Sequence, residues 1–351
     1  LFMVSDFKYL IPVIVMLFGG CRQNIDFLGQ FQDRGETTLE CVKELKENSA
    51  IRMISMLKSG DYIVWSKYYT GKAPVLYVYN LESNRLAEFS MPLKDSVHSY
   101  YPERLYACND SVIMSFNEMY QYFSYTHIKD SFYTSGYRDL EISNEEFFDW
   151  RGRAVMRFVY PGEDSLYFVG GIGTKNVDYG VYEGHSRFLF PSYSCIPPTV
   201  LEMKCLLPDY KDHIAVVKQK GNNRYAVFRR YYQLYDVIDM RGTTLQLVKR
   251  KICHHSLLTW RDQYNLQQDL SNRFFPGFFV ESSRYIIALY QSCEKVKRQY
   301  VLVLDWEGKP LYSYRFPIEF EVYGLCGDED HTFYVAGKMK QGKAGIFRIK
   351  C

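Results

Sequence analysis

Two neighbouring stretches decide the fold: Tyr285-Ile286-Ile287-Ala288-Leu289-Tyr290, and then Tyr300-Val301-Leu302-Val303-Leu304-Asp305-Trp306-Glu307-Gly308-Lys309-Pro310-Leu311. Both runs are short, apolar and rich in β-branched and aromatic residues, which fit the pleated surface of a strand. The second ends in Asp305-x-x-Gly308 and resumes at Leu311. An Asp can accept backbone hydrogen bonds at the start of a tight turn, and a Gly can take positive φ at its end. The segment therefore reads as a hairpin. The same pattern stands at Val237-Ile238-Asp239, followed by Gly242 and Leu245. A degenerate copy runs from Val78-Tyr79-Asn80 to Leu86, with Asn84 in the left-handed position.

A wider repeat encloses these hairpins. Short strands opened by a polar turn begin at Asp61, Asp110, Asp164, Asp212, Ser283 and Asp330, at intervals of 49, 54, 48, 71 and 47 residues. A β-type period near 40–50 residues points to propeller blades, each a four-stranded sheet that cannot bury its faces alone. Six copies predict an all-β, six-bladed β-propeller over 35–351, preceded by a signal peptide at 1–20 and a tether at 21–34. The last copy runs out of strands after Ile346-Phe347-Arg348-Ile349, so Thr37 to Val42 is expected to supply its outer strand. The 71-residue interval holds an insertion from His254 to Asn272, and insertions in repeat folds map to loops on one face. Helical signals are confined to Glu44–Asn48 and Asn144–Trp150.

The N-terminus reads as an address. Lys8 precedes the apolar run Tyr9–Phe18, too short to span a bilayer but of the length of a signal-peptide core. It ends in Leu17-Phe18-Gly19-Gly20-Cys21. Small residues directly before a Cys resemble a bacterial lipobox, which predicts lipidation of Cys21. The expected location is the cell envelope, with the chain lipid-anchored to a bacterial membrane, the outer membrane.

Composition narrows the classes. Hydrophobic residues form 47% of the chain and charged residues 24%, which excludes intrinsic disorder. Net charge is +3, from 43 basic and 40 acidic residues. That lacks the basic excess of a nucleic-acid binder, so no nucleic-acid partner is expected. The 32 Tyr and 24 Phe favour β-structure and leave amphipathic rings for a ligand surface. The eight cysteines after Cys21 form no C-x-x-C pair. An exported chain could oxidise them, but their isolated apolar settings, as at Ala107-Cys108 and Leu325-Cys326, predict buried free thiols.

Together the lipobox, the Tyr-rich strands, the 285–311 segment and the ending Phe333–Gly337 through Ile346–Ile349 resemble the TolB-like six-bladed β-propeller lipoproteins of Bacteroidales. The resemblance implies fold and address, and carries no active-site residues with it.

Catalytic and cofactor motifs are sparse. Gly170-Gly171-Ile172-Gly173-Thr174-Lys175 lacks P-loop spacing, and Asn176 replaces the last Gly of a dinucleotide fingerprint. No nucleophile elbow occurs. His254-His255 would face opposite sides of a strand and so rarely share a metal. No metal or cofactor is expected. Asp236 and Asp239 bracket a strand end and could form a carboxylate pair, but the hairpin turn already explains Asp239, which discounts it. Basic and aromatic residues interleave around the long insertion, and Arg with aromatic rings can stack on sugars or fork onto anions. Tyr231, Trp260, Arg261 and Arg273 are the expected ligand-binding residues. The expected function is non-catalytic recognition of a glycan, a peptide or a partner protein. The alternatives are a propeller-type glycan lyase or hydrolase, and a scaffold in an envelope complex.

Overall fold

The computed structural model describes residues 27–46, 53–67, 75–90, 104–117, 122–129, 131–139, 158–161, 166–170, 179–183, 187–189, 214–229, 234–252, 275–292, 297–328 and 332–350. A single 3-10 turn at Leu28–Gln30 opens the described chain, followed by two strands, β1 (Gln32–Glu36) and β2 (Thr38–Glu44). Antiparallel meanders follow. The first sheet is β3 (Met53–Ser59), β4 (Tyr62–Lys67), β5 (Val75–Asn80) and β6 (Arg85–Ser90). The second is β7 (Arg104–Asn109), β8 (Val112–Asn117), β9 (Tyr122–His127) and β10 (Tyr133–Asp139). The third is β11 (Phe158–Pro161), β12 (Leu166–Gly170), β13 (Tyr179–Glu183) and β14 (Arg187–Leu189). The fourth is β15 (Ile214–Lys218), β16 (Arg224–Arg229), β17 (Leu234–Arg241) and β18 (Thr244–Ile252). The fifth holds β19 (Phe279–Val280), β20 (Tyr285–Gln291), β21 (Gln299–Asp305) and β22 (Pro310–Arg315), with β1 added beyond β22. The sixth holds β23 (Phe320–Gly327), β24 (Phe333–Met339) and β25 (Ala344–Lys350), with β2 beyond β25.

Each sheet packs on the next. β3 lies beside β7. Tyr106 meets Tyr160 edge-on at 4.7 Å between the second and third sheets, and Phe168 stacks on Tyr225 at 4.3 Å between the third and fourth. Phe228 stacks on Phe279 at 5.1 Å between the fourth and fifth. β19 lies beside β23, and β23 returns to β3. This is a β-propeller, and its circular packing explains the sequence. A middle strand is covered on both faces, so it reads as a continuous apolar run and not as an alternation. β20 and β21 are each buried at five consecutive positions. The outermost strands instead keep exposed positions throughout, as in β6 and β2.

The tyrosines are staples between sheets. Their rings fill the apolar gap while the hydroxyl reaches a neighbouring backbone carbonyl. Tyr160 donates to Val216 O at 2.9 Å, Tyr235 to Gly308 O at 2.9 Å, and Tyr79 to Val42 O at 3.2 Å. Within the fifth sheet, Trp306 Nε1 likewise donates to Ser282 O at 3.1 Å and ties two of its turns together.

The N-terminal strands fasten the circle. β2 pairs antiparallel with β25, from Thr38 against Lys350 to Glu44 against Gly345. The outer strand expected from Thr37 to Val42 is therefore present in that role, shifted toward Glu44. β1 pairs parallel with β22, and Thr37 N–H bridges the two ladders by donating to Arg315 O at 2.8 Å. One continuous segment thus clasps the fifth and sixth sheets. Residues 27–34 of the tether expected over 21–34 belong instead to the fold. Phe27 and Phe31 are 2% and 6% exposed, and Phe27 sits 5.2 Å from the Tyr290 ring and 6.2 Å from Phe275. Apolar side chains in a stretch that looked polar overall have docked it onto the fifth sheet. The expected signal peptide at 1–20 and Cys21 lie outside the described residues.

The hairpin turns follow their sequence pattern. Asp305 Oδ1 accepts the N–H groups of Glu307 at 3.0 Å and Lys309 at 2.8 Å. Gly242, Gly308 and Asn84 all take positive φ, at 55°, 71° and 54°. The wider repeat slips once. Asp61, Asp110, Asp164, Ser283 and Asp330 precede second strands, whereas Asp212 precedes a first strand, β15. The matching second strand is β16, and its apolar core Tyr225–Phe228 follows Asn-Asn-Arg in place of an Asp signal. Part of the 71-residue interval is this change of phase. The rest of it, and the helical signal at Asn144–Trp150, lie outside the described residues. Glu44, expected to open a helix, ends β2.

Candidate functional site

A meander laid radially puts its first strand innermost. β3, β7, β11, β15, β19 and β23 therefore supply the wall of the central channel. A cavity of about 360 Å³ opens among them, walled by residues from these strands and from the tight turns that follow. Its charged lining is Lys58, Arg104, Asp110, Lys220, Glu281 and Asp328.

Hydrogen bonds between neighbouring inner strands fix the wall. Ser59 Oγ donates to Asn109 O at 2.7 Å, and Leu105 N–H donates to Ser55 Oγ at 3.2 Å, joining β3 to β7. Lys58 Nζ lies 3.1 Å from Asp328 Oδ2 and donates to Gly60 O at 2.8 Å, joining the first sheet to the sixth. Gly60 has φ +52°, and a Cβ there would stand 3.1 Å from Asp110 Cβ, so the turn is held tight against its neighbour. Tyr160 spends its proton on Val216 O, and burial above all pushes its phenol well above the usual range, with Glu281 adding to that and Arg104 opposing it.

Glu281 follows β19. Desolvation pushes its carboxyl up to about 7, against the opposing pull of Lys218 and Lys220. Cys326, at the end of β23, is a free buried thiol that burial drives far above its ordinary value. Cys41 and Cys108 are also free, but both are exposed, which corrects the expectation of buried thiols at those two positions. Cys41 lies on an outer strand that keeps exposed positions throughout, and Cys108 lies in the exposed second half of β7, beyond its buried Leu105 and Tyr106.

Asp236 and Asp239, discounted above as a carboxylate pair, are each taken up by an arginine. Asp236 is locked by Arg250, its cross-strand partner, at 2.8 Å. Asp239 is gripped by Arg224 Nε at 2.5 Å and Nη2 at 3.1 Å. Arg224 also donates to Glu307 at 2.6 Å and to Trp306 O at 3.1 Å, so it ties the fourth sheet to the fifth. Both carboxylates are structural. Tyr231, Trp260, Arg261 and Arg273, like His254-His255 and Gly171–Lys175, lie outside the described residues. Tyr231 belongs to the β16–β17 connection and the other three to the β18–β19 connection; both leave from the same end of the fourth sheet. Gly170 ends β12.

Sequence reading passed over Lys58, Arg104, Lys220, Glu281 and Asp328. A signal existed: four of these five polar residues stand where a first strand runs into its hairpin turn, as in Lys58-Ser59-Gly60 and Lys220-Gly221. Phasing the repeat on second strands hid it. Among the described residues no group of three His, Cys, Asp or Glu side chains is placed to hold a metal ion.

No known protein family matches the chain by sequence, and no curated protein matches it. Solved structures do. A protein of Bacteroides fragilis described as exported is 12% identical, with a TM-score of 0.50 over 91% of this chain and 98% of its own. The calcium-binding protein regucalcin from Agrobacterium tumefaciens is 10% identical, with a TM-score of 0.50 over 91% of this chain and 96% of its own. A member of the DUF4221 family from Bacteroides vulgatus is 10% identical, with a TM-score of 0.48 over 90% and 98%. At such identities the two matches with a TM-score of 0.50 speak for the fold alone, and they agree with the sheet order in making the chain a β-propeller.

Proposed function

We propose that this chain is a six-bladed β-propeller lipoprotein of the bacterial cell envelope, of the TolB-like kind, which recognises a glycan, a peptide or a partner protein at its central channel without transforming it. The observation that carries the reading is the cavity of about 360 Å³ among the inner strands. It lies in the size range of small-molecule sites, and it is walled by backbone already fixed by inter-sheet hydrogen bonds. A preformed wall loses little entropy on binding. The lipobox at Leu17–Cys21 and the exported relative from Bacteroides fragilis support the address.

Anchoring at Cys21 has a geometric consequence. Phe27 is docked on the fifth sheet, and six residue steps separate it from Cys21. Extended chain covers at most about 3.6 Å per residue, so this rim of the propeller would lie within roughly 20 Å of the membrane.

The test is a plug. Ala107 lines the cavity and is exposed to it. Mature protein should bind members of a glycan and peptide panel, and Ala107→Trp should abolish that binding with the melting temperature unchanged. Binding that survives the plug overturns the channel reading. The enzymatic alternative rests on Glu281, whose carboxyl is poised near neutrality as a general acid would be. Turnover of a bound glycan, lost in Glu281→Gln, would favour it.

A further inference from the structure

We propose that the channel cavity takes a small ligand bearing a carboxylate, anchored by the guanidinium of Arg104; this deepens the channel reading above and rests on it. The argument is a charge balance over the described lining. Lys58 and Asp328 answer one another at 3.1 Å. Asp110 is exposed at the turn after β7, where water solvates it. Glu281 faces Lys218 and Lys220, and burial holds its carboxyl partly protonated near neutrality.

Arg104 is the exception. It is half-buried at the start of β7, in the wall of the cavity. Its backbone pairs with Phe116 in the β7–β8 ladder, but among the described residues its guanidinium has no hydrogen bond and no ion pair. Tyr160 is its electrostatic neighbour, but that phenol has given its proton to Val216 O and stays neutral, so it cannot answer the charge. A guanidinium cannot shed its proton and carries five donors in a fixed fork. Leaving such a group half-buried and unanswered is unfavourable, and a planar carboxylate matches the fork with two parallel hydrogen bonds. The cavity has room for about one or two sugar or amino-acid units around that contact. A protonated Glu281 would offer the same ligand a donor instead of a repelling charge.

Two sources share this chemistry, a uronic acid and the free C-terminus of a peptide, and calorimetric titration of the mature chain separates them. Glucuronate is compared with glucose, and an acetylated dipeptide acid with its amide. In at least one pair the acid is expected to bind ten times or more tightly than its neutral partner. Arg104→Ala should remove that preference and Arg104→Lys should restore part of it, with melting curves like the parent's. Arg104→Gln serves if the Ala variant fails to fold. Equal binding of acid and neutral forms, an unchanged Arg104→Ala titration, or a preference for inorganic phosphate over both acids would overturn the carboxylate assignment while the channel reading stands. No binding by any probe, including the glycan and peptide panel, would overturn both.

Discussion

The outer rim and the inner wall of this propeller solve opposite problems. At the rim, β1 and β2 lay two ladders across the fifth and sixth sheets, Phe27 and Phe31 go under cover, and Arg34 stacks over Tyr312 at 4.3 Å. Charges there are exposed and matched, as in Lys343 with Glu44 at 2.7 Å and Arg315 with Asp33 at 3.3 Å. In the channel, Glu281 is driven away from its ordinary protonation and Arg104 is left without a partner among the described residues. An arrangement selected for stability alone would not place these two groups in that wall. The rim holds the fold, and on the proposed reading the wall carries what the fold is for.

The largest effect should come from removing the clasp. Deleting residues 22–44 bares the edges of β22 and β25 and exposes the apolar surface beneath Phe27 and Phe31. Burial of two Phe side chains alone is worth on the order of 5 kcal/mol, a large share of a domain's net stability. The truncated chain should melt at least 10 °C lower or lose its cooperative transition. A melt within 2–3 °C of the parent, as roughly one kcal/mol would give, would show that the circle closes without the clasp.

A second substitution tests the packing between rim and channel. Gly337 lies in β24, where a Cβ would fall onto the Phe320 ring and 2.5 Å from Glu321 O. Gly337→Ala should cost about 2–4 kcal/mol by overpacking. Gly136 in β10 has nothing within 4 Å of its Cβ position, so Gly136→Ala should be close to neutral. Denaturant melts of the two variants decide it, and equal midpoints would mean that the sixth sheet is looser than it looks.

Legibility in the sequence followed the same division. Continuous apolar runs such as Tyr300–Leu304 betray strands covered on both faces, and Asp305-x-x-Gly308 betrays the turn, because local backbone chemistry dictates both. The closing strand near Thr37 was legible as a deficit, since the last repeat lacked a partner for β25. The docking of Phe27 was not, because two aromatic residues in a polar stretch have no period to betray them. Channel residues were hidden for a different reason. Lys58, Arg104 and Glu281 come from three sheets, and only the ring brings them to one cavity. Alone, each reads as a polar residue at a strand end. For Asp236 and Asp239 the turn pattern was enough to discount a carboxylate pair, but their partners Arg250 and Arg224 stayed hidden because they lie on adjacent strands.

The smallest expected effect isolates the wall's cost. Folding raises the Glu281 carboxyl from its ordinary 4.5 to about 7, so the folded chain binds this proton more tightly than the unfolded one. The sign follows from linkage: the contribution is most favourable below pH 4.5, erodes as pH climbs toward 7, and is flat above that. Glu281 is only partly shielded from the channel's water, so solvent screening should trim the difference to about 1 kcal/mol. Glu281→Gln cannot titrate and should lose this slope, gaining two or three degrees of melting temperature over the parent at pH 8 and little at pH 5, as about 1 kcal/mol implies. The measurement is a series of thermal melts from pH 4 to 9. Parallel parent and variant curves would mean that folding leaves this carboxyl where it found it, and the contrast between wall and rim would then rest on Arg104 alone.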